Sequence, residues 1–302
     1  GATGMVGDPS GKSQERNLLS KDTLDANLKG VTKQLERFLD FDCGANSAVL
    51  VNNLEWTENR DLLSFLRDVG KHFSVNSMVQ KESVKQRIDR EGEGISYTEF
   101  SYMLLQSWDF VHLADEYDCC VQIGGSDQWG NITAGIELGR RLRGLDLHGI
   151  TCPLLTKADG SKMGKTASGA VWLDPLRTSP YRFYQYWMNL SDSDAQTCLL
   201  RLTELPLEEC ESLILEQETH PAGRAIQRRL AEELTQLVHG PDGLRTAQQA
   251  TAAFFGAAID NLTDEALTEI FADVPSHQFS LESLAGDGLP LVEVMTATKL
   301  AA

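Results

Sequence analysis

The chain has 302 residues, is 41% hydrophobic, 24% charged and 7% aromatic, and carries a formal net charge of -17. That profile excludes a disordered chain, a small stapled scaffold and a collagen-like or low-complexity protein, and the length suggests about two domains. The longest apolar runs fall well short of the ~18 residues that span a bilayer, and so acidic a balance excludes coating nucleic acid by bulk attraction, so that any polyanion must meet local basic patches.

The chain opens on Gly1-Ala2-Thr3-Gly4 rather than on Met or a signal peptide. A glycine-rich loop normally follows a strand, so an N-terminal piece is expected to precede it. Asp8 can cap a helix with Pro9 at its first position. Asp61 to Phe73 has helical apolar spacing, and Ser96-x-x-Glu99 forms a capping box ahead of the apolar run Phe100 to Leu113. Asp118 to Ile123 reads as a short buried strand, Gly124 to Gly130 as a loop and Ile132 to Leu142 as a helix. Gly149 to Leu155 is a second strand, followed by the loop Thr156 to Gly169 and the short strand Ala170 to Leu173. This alternation predicts an α/β fold, a Rossmann-like doubly wound parallel sheet. The expected organisation is a catalytic domain over 1–175, an all-helical domain over 176–255, and a linker over 256–302 with a short acidic helix. The cysteines at 43, 119, 120, 152, 198 and 210 show neither a C-x-x-C pair nor zinc spacing. They are expected to be reduced, mostly buried thiols of a cytosolic protein.

Tyr102, Gln106 and Asp109 stand at i, i+4 and i+7 of one helix and share a face. Such a face is either wet or the wall of a pocket. The absence of Lys, Arg and Glu from it favours the pocket, and a Tyr/Gln/Asp set suits an ammonium group and a hydroxyl. The loop Gly124 to Asn131 lies at the carboxyl end of a strand, where doubly wound sheets bind ligands. There Asp127 or Gln128 could accept from ribose hydroxyls or an amino group, or Asp127 could merely cap the next helix. Gly7-Asp8-Pro9-Ser10-Gly11-Lys12-Ser13 fails the Walker A spacing, because Val6 stands where a glycine is needed. Lys12 and Arg16 lie four apart on the helix that follows. Lys162 and Lys165 flank Met163-Gly164 in a glycine-hinged loop. Lysines so placed can close over phosphates as negative charge develops, although a solvated pair is the plainer alternative.

Taken in order, Gly1 to Arg16, Phe65 to Asn76, Gly94 to Phe110, Gln122 to Gly135 and Leu154 to Pro175 resemble the bacterial tyrosyl-tRNA synthetases, which are class I aminoacyl-tRNA synthetases. The resemblance runs across nearly the whole chain. Lys162 to Thr166 corresponds to that class's Lys-Met-Ser-Lys-Ser loop, with Gly164 and Thr166 in place of the two serines. The resemblance implies ATP-dependent activation of L-tyrosine and its transfer to the 3′ end of tRNA(Tyr). It assigns Asp8, Tyr102 and Gln106 to the α-ammonium of tyrosine and Asp109 to its phenolic hydroxyl. Thr3, Gln122 and Gln128 would border the same pocket. Gly125 and Asp127 would meet the ribose of ATP, and Leu154 and Leu155 would line the adenine site. Lys12, Arg16, Lys162 and Lys165 would be the catalytic, phosphate-facing cations, with Mg²⁺ accompanying ATP and no tightly bound cofactor or resident metal.

The family's His-x-Gly-His signature, its N-terminal tyrosine and its C-terminal RNA-binding domain are expected to lie beyond the ends of this sequence. By the same resemblance the protein would be a cytoplasmic homodimer, pairing through Asp61 to Met78. Arg140-Arg141-Arg143 and Arg224-Arg228-Arg229 are candidate tRNA-phosphate contacts, with solvated helix faces as the simpler alternative. The competing readings are a catalytically silent RNA-binding relative and a tryptophanyl-tRNA synthetase, and Asp109 with Tyr102 and Gln106 argues against the latter.

Overall fold

The structure, a computed structural model, describes residues 1–8, 19–81, 84–85, 88, 94–161, 163–166, 169–254, 256, 264, 267–268, 277–284 and 288–298. The anticipated helix start at Asp8 and Pro9 runs into residues outside that set. The chain divides into two compact units, residues 1–156 with 161–163 and residues 157–160 with 164–302. The boundary anticipated near residue 175 therefore falls inside the second unit.

In the first unit, α1 (Ala2–Val6), α2 (Lys21–Leu35), α3 (Leu54–Thr57), α4 (Leu62–Asp68) and α5 (Val75–Val79) lead into the long α6 (Tyr97–Tyr117). The helix expected over 61–73 is thus shorter, capped by the Asp61 carboxylate and giving way to a 3₁₀ turn at Gly70–His72. Ser96 caps α6 as its sequence predicts, its hydroxyl accepting from the Glu99 N–H at 3.2 Å. Asp118, in the left-handed region at φ 53°, ends the helix, a conformation that Asp tolerates better than most residues. Met103, Leu104, Trp108, Phe110 and Val111 of α6 are buried, as are Ile132, Ala134 and Leu138 of the helix against which it packs, α7 (Trp129–Arg143). The two backbones approach closely. A Cβ on Gly135 would lie 3.1 Å from the Phe110 ring and 3.5 Å from the Ser107 Cα.

Strands β1 (Val121–Gly125) and β2 (His148–Cys152) pair in parallel, Gln122 opposite Gly149 and Ile123 opposite Ile150, with α7 as the crossover between them. Parallel strands require such a connection. The expected burial of β1 does not hold: Val121 and Ile123 are exposed, Ile123 at 67%. Its pleat turns Gln122 and Gly124 to the half-buried side instead. The helix anticipated from Ile132 begins three residues earlier, at Trp129, after a 3₁₀ turn over Ser126–Gln128. Its N-cap is Gln128 with no side-chain cap bond, so Asp127 is not the capping residue.

The second unit opens with β3 (Lys165–Thr166) and β4 (Gly169–Ala170), an antiparallel pair in place of the strand expected over 170–173. Helices α8 (Pro180–Met188), α9 (Asp192–Leu202), α10 (Leu207–Thr219) and α11 (Ala225–Phe254) follow. Gly240, at φ 74°, and Pro241 kink α11. Beyond it the described residues include α12 (Leu291–Ala297). The six cysteines are free. Only Cys198 and Cys210 are buried, against the expectation that most would be, because Cys43, Cys120 and Cys152 lie on exposed backbone outside helix interiors.

Candidate active site

Helix α6 has two working faces. One packs on α7; the other, carrying Tyr102, Gln106 and Asp109, walls an open cavity of about 470 Å³. Thr3 of α1, Asn53 and Trp56 around α3, Gln122 of β1 and Gln128 complete much of its lining. The helical spacing of the three polar residues and the alternation of β1 therefore converge on one space.

Asp109 is the most constrained group there. Its Oδ2 accepts from the Asn53 amide at 2.8 Å and its Oδ1 from the Trp56 indole N–H at 2.7 Å. The Asn53 amide also reaches the Thr3 hydroxyl at 3.0 Å. Burial pushes the Asp109 carboxyl above its usual range, while the Asn53 and Trp56 donors, the nearby His112 and the amino group of Gly1 pull it back. Each carboxylate oxygen has two lone-pair directions, so one protein donor apiece leaves accepting capacity towards the cavity. A ligand hydroxyl can fill it and a hydrocarbon cannot.

A second polar group lies beside the first. The Gln128 amide donates to Asp8 Oδ2 at 2.7 Å, and its carbonyl accepts from Asn131 at 3.2 Å. This joins Asp8 to the cavity through Gln128. The Gln122 Oε1 is buried without a hydrogen-bond partner, an acceptor that a donor on a bound molecule can satisfy.

Past Gln128, Gly125, Asp127 and Leu154 come together. A Cβ on Gly125 would lie 2.5 Å from Asp127 Oδ1 and 3.1 Å from Leu154 Cδ2, so a side chain there would have to push the ends of those two side chains aside. Leu154 is exposed and Leu155 half-buried. Lys12, Arg16 and Lys162 lie outside the described residues, and Lys165 is placed only by its backbone in β3. Asn53 and Trp56 are site residues that the sequence reading missed. Their signal was Asn52-Asn53 and Trp56 in a short segment with little periodicity of its own.

The basic clusters are engaged internally. Arg140 and Arg141 both bind Glu137 at 2.8 and 2.6 Å, and together they hold its carboxyl down at about 2. Arg143 meets Asp115 at 3.4 Å. Arg224 donates to the Met188 and Leu190 carbonyls, Arg228 to the Gly223 carbonyl, and Arg229 pairs with Glu209 and Glu233. Among the described residues no group of three or more His, Cys, Asp or Glu is placed to hold a metal ion. No helix among them is long and apolar enough to cross a membrane.

The profile of the family described as tRNA synthetases class I (W and Y) matches residues 1–256. The chain is 57% identical over 300 residues to a tyrosine–tRNA ligase of Rhodopirellula baltica, covering 99% of this chain and 68% of that protein. It is 51% identical over 301 residues to a tyrosine–tRNA ligase of Roseiflexus castenholzii, covering 100% and 71%. Among solved structures, a C-terminally truncated mitochondrial tyrosyl-tRNA synthetase of Aspergillus nidulans superposes with a TM-score of 0.70 at 30% identity, covering 84% of this chain and 74% of that one.

Proposed function

Because the chain belongs to the class I tRNA synthetases of the tryptophan and tyrosine type, a family of ATP-using ligases, we propose that it activates L-tyrosine with ATP and passes the tyrosyl group to tRNA(Tyr). The observation that carries the choice of amino acid is Asp109, held by Asn53 and Trp56 with accepting capacity left for a phenolic hydroxyl. Tyr102, Gln106 and Asp8 supply acceptors for the α-ammonium, with Gln122 by the tyrosyl group and Thr3 and Gln128 beside them. Gly125 and Asp127 take the ribose, and Leu154 and Leu155 the adenine.

The chemistry requires no enzyme nucleophile. A tyrosine carboxylate oxygen attacks the α-phosphorus of ATP, the bond to the β-phosphate breaks, and pyrophosphate leaves tyrosyl-adenylate behind. A hydroxyl of the tRNA 3′-terminal ribose then attacks the activated carbonyl and AMP departs. Lys12, Arg16, Lys162 and Lys165 serve as the cations that meet charge growing on the phosphates, with Mg²⁺ arriving as part of the ATP substrate. Incubation with ATP, Mg²⁺ and L-tyrosine, without tRNA, tests this step: tyrosine-dependent pyrophosphate release is expected, and release independent of tyrosine would overturn it.

The protein is proposed to be a cytoplasmic homodimer. Support for the dimer comes from α4 and α5, where Leu62, Leu63, Leu66, Val75 and Val79 are exposed, Leu63 at 75%. Apolar side chains left exposed on two neighbouring helices of the sequence are what an interaction surface would cover. Sedimentation at micromolar concentration should give a dimer, and Leu62→Glu with Leu63→Glu a monomer. A monomeric unmodified protein would remove the dimer from the account.

A further inference from the structure

We propose that Tyr186 of α8 and Asp194 of α9 are positioning residues for the phosphate-facing lysines, bonding the backbone on either side of Lys162 so that the helices of the second unit carry the loop. The inference rests on the tyrosine-activating function and deepens it. The Ala158 N–H donates to Asp194 Oδ1 at 2.7 Å, and the Gly164 N–H donates to the Tyr186 hydroxyl oxygen at 2.9 Å. Each bond reaches from a helix to the loop, across 36 and 22 residues of sequence. Residues 161–163, between the two bonds, group with the first unit, while the stretches on both sides of them group with the second. The two side chains therefore grip the chain at both edges of the segment that carries Lys162, and next to Lys165.

Both grips stand on a packed base. Helix α8 buries Phe183, Tyr184 and Trp187, α9 buries Ala195, Cys198 and Leu199, and both helices pack on α11. The Tyr186 ring meets the Trp187 ring edge-on, with centroids 4.8 Å apart. Burial pushes the Tyr186 hydroxyl above its ordinary range, the Gly164 N–H pulls it back, and Cys198 and Asp194 push it up again. It therefore stays neutral at ordinary pH, with an oxygen that accepts. Asp194 is itself buried, and its own backbone N–H is spent on the Ser191 hydroxyl that caps α9. A carboxylate accepting from a backbone N–H makes a charge-assisted bond, stronger than a neutral one. Gly164 is held on its other side as well, its carbonyl accepting from the Val171 N–H at 2.9 Å. Its φ of 80° is a conformation that glycine adopts without steric cost.

The consequence falls on the rate and not on the binding of the amino acid. Lysines that meet charge growing on phosphates act only if they stand where that charge develops, and a small misplacement of such groups is costly. Freeing either limb of the loop spreads the lysines over more positions and slows adenylate formation. The cavity assigned to tyrosine is lined by Thr3, Tyr102, Gln106, Asp109 and other residues of the first unit, and neither bond touches it.

Tyr186→Phe removes the hydroxyl and keeps the ring. Asp194→Ala removes the carboxylate, and Asp194→Asn returns an oxygen acceptor without the charge. Tyrosine-dependent pyrophosphate release gives kcat and the KM for tyrosine. Brief trypsin digestion, with the cut sites located by mass spectrometry, gives the rate of cleavage after Lys157, Lys162 and Lys165 and requires no activity. The expected result is a kcat lower by about 5-fold in Tyr186→Phe and by about 10-fold or more in Asp194→Ala. Asp194→Asn should recover part of that loss, and the KM for tyrosine should stay where it is in all three. Trypsin should cut the loop faster by similar factors, because cleavage follows the population of the opened segment, with cleavage elsewhere unchanged. Tyr186→Phe keeps the test alive should Asp194→Ala fold poorly. An unchanged kcat, a faster reaction, or unchanged cleavage of the loop in Tyr186→Phe would overturn the inference, as would a tyrosine KM that rises in step with the fall in kcat. Absence of pyrophosphate release from the unmodified protein would instead overturn the functional reading beneath it, and the trypsin rates would still decide whether the two side chains hold the loop.

Discussion

Tyrosine affinity is expected to fall by about two orders of magnitude or more when Asp109 is replaced by Ala, while ATP affinity stays nearly unchanged. Two losses combine. The phenolic hydroxyl loses a charged acceptor, worth ~1.5–3 kcal/mol in a typical protein setting. The Asn53 amide and the Trp56 indole N–H, which both end on that carboxylate, are left facing the cavity without it, and unpaired buried donors carry a further penalty. ATP should be spared because the residues proposed to meet it, Gly125, Asp127 and Leu154, lie together beyond Gln128 and make no bond to Asp109. Phenylalanine should bind the variant about as well as it binds the parent, because it never used the carboxylate. Sites built to bond a hydroxyl reject the analogue lacking it by the largest factors that binding alone achieves, and the tyrosine enzyme of this class is the standard illustration. Surviving tyrosine affinity in Asp109→Ala, measured calorimetrically, would mean that the hydroxyl is read elsewhere.

The largest expected effect on stability is at the neighbouring position. Phe110 is fully buried and meets α7 at Gly135, whose missing side chain makes room for the ring. Phe110→Ala should lower the unfolding free energy of the first unit by about 3–5 kcal/mol, the usual cost of deleting a large aromatic from a core that cannot collapse around the gap. Urea unfolding followed by tryptophan fluorescence measures it. Because the chain has two units, the transition of the first must be separated from that of the second before a single free energy is assigned. The substitution should also weaken tyrosine binding secondarily, since α6 carries Asp109 on its opposite face and any shift of the α6–α7 seam moves it. A cost below about 1 kcal/mol would show that this seam is not the core it is taken to be.

How much of this was legible beforehand depended on whether the signal was local. The capping box of Ser96 and Glu99 fixed the start of α6, and the i, i+4, i+7 spacing put Tyr102, Gln106 and Asp109 on one face. Both are properties of a single helix. Trp129-Gly130-Asn131 read as loop, because Gly and Asn weaken a helical pattern, yet α7 begins at Trp129, and Asn131 and Ile132 are buried there. The role of Asn53 and Trp56 was illegible for a different reason. Their bonds to Asp109 span 56 and 53 residues of sequence, and no periodicity encodes a contact across such a distance. The exposure of Val121 and Ile123 was likewise hidden: an apolar run at β1 implies cover, but among the described residues β2 is its only strand partner. The absence of Lys, Arg and Glu from that side of α6, and then the resemblance, supplied what periodicity did not, a reason for treating it as the wall of a binding site.

The central claim is that the cavity beneath α6 selects tyrosine through its hydroxyl. Calorimetric titration of the unmodified protein with L-tyrosine and with L-phenylalanine at pH 7.5 tests it most directly. The account predicts saturable, stoichiometric binding of tyrosine and binding of phenylalanine weaker by at least ~10³-fold. Equal affinities, or binding of neither, would contradict it.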